Sequence, residues 1–345
     1  MKKVVLIIIS LILVSVLGVL IFAVCFKDGK IDVENTTTTN IESTENIEVV
    51  DENVIKDVIP DGAIYKRGNI EYKSGEKIPT AEVGDILIYK GYEYQYCKEK
   101  LDDIAWVENL HMSGWGVCAL KGDVETYPNV LTSINGINIV SARELFGGCD
   151  NLKYLSDDFK LPETIKDLSF AFRDCSNLER LPKNFRLPKD TTSIDYIFSG
   201  CSKIEIIPET FVLENIENAR YIFADCTNLK TLPENFTIPE GVMSIEGIFK
   251  GCVNLEKMPG QMIIPNTVDN VDKAFQGCKK IEFVCGIPES VKTMNNTFDG
   301  CEKLSPTLFV EATPIEYENC LNGTNVDEIV GNCKNKKDIL STANN

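Results

Sequence analysis

From residue 146 to residue 304 the apolar positions of this chain return in one fixed order, seven times over. The clearest word is a phenylalanine, two variable residues and a cysteine: FGGC at 146–149, FRDC at 172–175, FSGC at 198–201, FADC at 223–226, FKGC at 249–252, FQGC at 275–278 and FDGC at 298–301. Successive cysteines lie 26, 26, 25, 26, 26 and 23 residues apart. A fixed period of this size marks a solenoid, in which each unit buries its apolar face only against its neighbours.

Each unit predicts the same elements. After the cysteine comes an apolar pair stopped by proline, as in Leu178 and Leu181 before Pro182, or Leu229 and Leu232 before Pro233. Such a run is a very short strand, one rung of a parallel sheet with rungs about 4.8 Å apart. A second pair follows, Phe185 and Leu187 or Phe236 and Ile238, with Pro188 or Pro239 behind it. Proline holds that segment extended, so it reads as a buried corner. The residues before each phenylalanine then space apolar side chains by three: Ile165, Leu168 and Ala171, or Val242, Ile245 and Ile248. That spacing predicts one or two turns of helix. The expected fold over 141–310 is an α/β repeat solenoid of short parallel strands plus short helices. The unit between Cys278 and Cys301 lacks three residues and reads VCGIP at 284–288, which predicts a tighter corner with the rung kept.

The flanks read differently. Residues 1–25 place Lys2 and Lys3 before an uncharged apolar run, 4–24, long enough to cross a bilayer as a helix. An N-terminal transmembrane helix with a short cytoplasmic tip is expected, single-pass, with the remainder outside the cell. Two alternatives stay open: a lipoprotein modified at Cys25, for which Phe22, Ala23 and Val24 are poor neighbours, and a cleaved signal peptide. Residues 26–60 set nine acids against Lys27, Lys30 and Lys56, and predict a disordered acidic linker. Residues 61–140 predict a small, mostly antiparallel β module capping the solenoid. It has runs at 86–89 and 92–97, and a hairpin at 131–140 turned by Asn135-Gly136. Residues 311–345 predict a C-terminal cap and tail.

The repeat wording F-x-x-C-x-N-L-x-x-L-P, as in FRDCSNLERLP at 172–182, resembles the BspA-type leucine-rich repeats and related 26-residue repeats of bacterial surface proteins. It covers about half of the chain. The resemblance implies a leucine-rich-repeat fold in a cell-surface interaction protein, with no catalytic residues. The module before it is similar to the leader segment of some bacterial repeat proteins, on GD at 84–85, YKGYEYQY at 89–96, GWGV at 114–117 and SINGI at 133–137.

Composition narrows the partners. The formal net charge of −17 argues against nucleic acid and anionic lipid headgroups, both of which attract basic patches. Of 13 cysteines, seven form the repeat ladder; they are expected reduced, filling a tight turn as small hydrophobes. Equivalent residues on stacked units have parallel Cβ vectors, wrong for a disulfide, although Cys278 with Cys285 and Cys320 with Cys333 are alternatives by proximity. On this reading Cys226→Ala costs little. There is no C-x-x-C, and His111 is the one histidine, so no Cys/His metal site and no triad is expected. No phosphate loop appears, no cofactor is expected, and among 52 acids no carboxylate pair is diagnostic.

The chain is therefore expected to be a non-enzymatic, membrane-anchored protein-binding or adhesion module with an extracellular protein ligand. A surface glycan-binding or glycan-processing protein is the alternative. Tyr89, Tyr92, Tyr94, Tyr96, Trp106 and Trp115 supply its motive if they line a groove, and they make a cap if they are buried. The candidate ligand surface is the strip of strand residues pointing out of the sheet: Tyr154, Arg180, Ile206, Thr231, Lys257 and Phe283. On six rungs it would run about 24 Å. Aromatics and arginine are frequent at binding hot spots.

Overall fold

The structure is a computed structural model that describes residues 9–15, 18–27, 30–33, 53–82, 84–98, 113–119, 127–260 and 262–344. The chain divides into two units, Met1–Val50 and Asp51–Asn345.

The first unit is an antiparallel sheet in the order β1-β2-β3, with β1 at Ile9–Ser15, β2 at Gly18–Lys27 and β3 at Lys30–Val33. Its register pairs Ile9 with Val24 and Cys25 with Asp32. These strands stand where a transmembrane helix was expected, and no helix among the described residues is long and apolar enough to cross a membrane. The run is rich in Val and Ile, whose branched Cβ is restricted on a helix and packs well on a pleated sheet. An apolar run by itself does not separate the two.

The second unit opens with an eight-stranded sheet ordered β4-β10-β11-β9-β8-β7-β5-β6. Its strands are β4 Val54–Ile55, β5 Ile64–Arg67, β6 Ile70–Tyr72, β7 Ile86–Tyr89, β8 Tyr92–Lys98, β9 Ser113–Ala119, β10 Ser133–Ile134 and β11 Ile137–Ser141. Asn135 and Gly136 both have positive φ, as the two-residue hairpin turn requires. The sheet begins earlier than 61. Val54 and Ile55 pair with Ser133 and Ile134, and Ile55 and Ile59 are buried, so the acidic stretch expected as linker enters the fold before residue 60. Tyr65, Tyr92, Tyr94, Tyr96 and Trp115 are buried, and the Tyr92 and Tyr127 rings reach Phe146, the first repeat phenylalanine, at 6.2 and 5.2 Å. These aromatics close the end of the repeat core. Trp106 and His111 lie outside the described residues.

Strand β11 leads straight into the repeats: Ser141 bridges Asp167, which bridges Ser193, which bridges Asn218. The seven repeat phenylalanines form one buried column, with neighbouring ring centroids 5.1 to 5.9 Å apart. A second column, Phe185 and Phe211 at 6.4 Å, fills the corner. The short helices expected before each phenylalanine are absent from the described repeats. Leu168–Cys175 instead makes consecutive four-residue turns, Ala171 N–H to Leu168, Arg173 to Phe170 and Cys175 to Phe172. The alternate amides, Leu168, Phe170, Phe172 and Asp174, donate to Ser193, Asp195, Ile197 and Ser199 on the next coil. A residue in the left-handed region interrupts every would-be helix. Phe170, Tyr196, Tyr221, Gly247, Lys273 and Asn296 hold that position, with φ between 54° and 62°. A second positive φ falls on the third letter of the repeat word, Asp174, Gly200, Asp225, Gly251, Gly277 and Gly300. Left-handed residues do not propagate an α-helix.

The coil continues past 310. Met294, Asn296, Phe298 and Gly300 donate to Glu316, Glu318, Cys320 and Asn322. This makes LNGT at 321–324 an eighth word, with Leu and Thr in place of Phe and Cys. Strands β12 Thr307–Phe309 and β13 Glu328–Val330 pair in parallel, and helix α1, Lys336–Ser341, buries Ile339 at the end of the stack.

Candidate functional site

The expected strip stands where the strand geometry puts it. Tyr154 bridges Arg180, and Ile206 bridges Thr231, which bridges Lys257, each on the adjacent coil. All six residues are exposed, with Tyr154, Ile206 and Phe283 at 38%, 67% and 68%. Leu152 and Leu155, on either side of Tyr154 in sequence, are buried and anchor the coil, while Lys153 and Tyr154 between them are exposed. The strip is polarised. At one end the Arg180 guanidinium lies 5.6 Å from the Tyr154 ring centroid and 3.0 Å from Asp157. At the other, Lys257 and Phe283 edge a depression that the sequence reading missed.

That depression comes from the shortened unit. On the preceding coils the corner holds a bulky buried side chain: Phe159, Phe185, Phe211, Phe236 and Met262. The next coil passes the same place as Val284-Cys285-Gly286 and has no bulky equivalent. The corner does not tighten; it opens. A hollow of about 390 Å³ lies between 256–260 and 282–285, and one of about 660 Å³ between 262–266 and 285–289. Met262 and Cys285 line both. Phe309 walls the larger one, and its ring lies over Gly286, where a Cβ would meet it at 2.9 Å. Ile263 and Phe309, both lining the larger hollow, are 71% and 50% exposed. The three-residue deletion was the signal; its consequence depends on a neighbouring coil that does not move in to fill the gap.

The thiols are structural. Cys175, Cys201, Cys226, Cys252, Cys278 and Cys301 each donate to the carbonyl of the phenylalanine that begins the previous word, at 3.0 to 3.1 Å. Cys278, Cys285, Cys320 and Cys333 are in no disulfide. Burial pushes the thiols up, that of Cys285 to about 11, which removes thiolate character at neutral pH. Among the described residues no three His, Cys, Asp or Glu side chains are grouped to hold a metal ion.

In the β module, buried Asp85 accepts from the Tyr65 hydroxyl at 2.7 Å, from Arg67 Nε at 2.8 Å and from the Glu82 amide at 2.8 Å. Burial alone would raise this carboxyl, but those three donors outweigh it and hold it below the usual carboxylate range. Every partner is satisfied, so the cluster reads as a staple of β5 to the loop before β7.

Residues 139–258 and 220–343, more than half of the chain, match the BspA type leucine rich repeat region, in six copies. The chain belongs to this family. Two solved structures are similar to it. One is a leucine-rich repeat protein from Eubacterium ventriosum, 14% identical over 62% of this chain and 91% of that one, TM-score 0.33. The other is a leucine-rich repeat protein from Bacteroides ovatus, 17% identical over 62% and 74%, TM-score 0.29. No curated protein matches. In this BspA-type chain six repeat cysteines, from Cys175 to Cys301, link coil to coil, and the strand face carries the variable side chains.

Proposed function

We propose that this BspA-type protein is a non-enzymatic, surface-displayed module that binds a protein ligand, in the manner of an adhesin, with the strand-face strip Tyr154, Arg180, Ile206, Thr231, Lys257 and Phe283. The carrying observation is that these six side chains are all exposed on successive coils, with Tyr154 paired to Arg180, Ile206 to Thr231 and Thr231 to Lys257. They offer aromatic, aliphatic and cationic groups on a chain of net charge −17. A flat array of this kind suits extended contact with a protein surface. We further propose attachment to the cell membrane through apolar residues 4–24, with the repeats outside; the support is the uncharged run behind Lys2 and Lys3. Of the six aromatics that motivate the glycan alternative, Tyr92, Tyr94, Tyr96 and Trp115 are buried, which favours the protein-ligand reading.

The test is the full chain probed on parallel arrays of extracellular proteins and of glycans. Saturable binding to protein spots, weakened about tenfold when Tyr154, Arg180 and Ile206 are changed together to Ser, is expected. Unchanged circular dichroism and melting of the variant make that comparison valid. Binding unaltered by the triple change removes the strip from the function.

A further inference from the structure

The hollow left by the shortened coil has a shape that the protein itself specifies. Five coils in succession place a bulky apolar side chain in the corner column, ending at Met262. Beyond Met262 the column ends, and Ile264, Ile287 and Phe309 line the space that follows it. A slot next in line after Phe and Met, lined by Met262 and Cys285, fits a further side chain of that class. The rim is acidic. Glu240, Glu289 and Glu311 border the larger hollow and Glu256 and Glu282 the smaller; Lys257 is the one cation among the described lining residues, and Lys280 pairs with Glu256 at 3.6 Å, so the larger hollow carries the unpaired acidic rim. Charge of one sign around an apolar floor selects a ligand of the opposite sign.

We infer that this slot is a docking site for an extended segment of another protein, one bulky apolar side chain completing the corner column and flanking Lys or Arg meeting the glutamates. The two hollows share a wall at Met262 and Cys285, so one strand-like peptide can place side chains in both. Hollows of this size hold side chains and small ligands in other proteins. A second copy of this chain is the wrong occupant, since it would bring a net charge of −17 to a glutamate rim. The site goes beyond the strand-face reading and shares with it only Lys257 and Phe283.

The probe is a fluorescein-labelled peptide, Ser-Lys-Ser-Phe-Ser-Lys-Ser, titrated with the full chain by fluorescence anisotropy. Saturable one-to-one binding is expected. It should weaken by about tenfold or more when the peptide Phe becomes Ser, when both Lys become Glu, or in the protein variants Glu289→Lys and Ile263→Ser. Cys285→Phe, which fills the slot from within, should abolish binding if its melting temperature is kept. The two surface variants preserve the test if it is not. Absence of saturation up to about 1 mM, equal binding of the Glu peptide, or indifference to Ile263→Ser and Glu289→Lys would each overturn the proposal. So would self-association of the chain abolished by Ile263→Ser. Neither Ile263 nor Glu289 belongs to the strip, and the strip's triple variant leaves both in place, so failure of one site is read separately from failure of the other.

Discussion

The Sγ of Cys201 donates to the carbonyl oxygen of Phe172 at 3.0 Å, and each residue occupies the equivalent place on its own coil. The cysteine is thus a donor as well as a small hydrophobe, and Cys226→Ala does more than trim a thiol. It removes one of two donors to the buried Phe198 carbonyl, which keeps the Cys201 amide at 3.0 Å. The expected loss is about 0.5–1.5 kcal/mol, against about 2–5 kcal/mol for Leu232→Ala, both read from urea unfolding.

Thiol reactivity should follow burial. Cys118 is exposed, Cys285 half-buried, and the repeat cysteines, Cys320 and Cys333 are buried. Of these, iodoacetamide at pH 8 should label Cys118 first in the folded protein. Cys285 should lag, because burial raises its thiol to about 11. The repeat cysteines should react only after unfolding, followed by peptide mass mapping. Quantitative thiol recovery from denatured, unreduced protein would confirm that they are reduced.

Asp85 gives the β module a definite pH dependence. Its folded carboxyl titrates below its unfolded value, so its contribution is present above the unfolded value and fades as pH falls through the folded one. Asp85→Asn should cost about 3 kcal/mol near pH 7, since it strips a buried charge from Arg67. The gap in melting temperature between wild type and variant should narrow on acidification below about pH 4.

Gly247 tests the outer turn. It is left-handed, with φ 61°, and a Cβ there would meet the Tyr221 ring at 2.2 Å. Tyr221 ends an outer stack with Tyr196 and Phe170, ring centroids 4.6 and 4.9 Å apart. Gly247→Ala should destabilise by about 1–3 kcal/mol, and part of that should return in the double variant with Tyr221→Ala.

At the N-terminus, mass spectrometry of membranes should find Cys25 unmodified and internal. A chain beginning at a lipidated Cys25 would show lipoprotein attachment instead.

Much of the repeat core could be read from spacing, because a column contact needs only that the same residue type recur at one period. The phenylalanine column and the outward strip are of that kind. The turn side was harder. The third letter of each word is Gly or Asp, both tolerant of positive φ, and that regularity argued against the helix that the apolar spacing of three suggested. The eighth word was hidden because Leu321 and Thr324 replace its two most recognisable letters. The hollow at Cys285 was out of reach of a single unit, since it depends on Met262 and Phe309 from the coils on either side.

The unbroken phenylalanine column bears on how such a protein changes over generations. Each interior ring meets the same residue type above and below, so duplication or loss of one whole unit leaves every remaining contact with a like partner. Unequal exchange between tandem copies therefore alters the reach of the strand face in steps of about 4.8 Å without redesigning the interior. The loss of three residues, shared by the last two units, is the other kind of change. It ends the corner column after Met262, and that point becomes distinguishable to a partner from the coils before it.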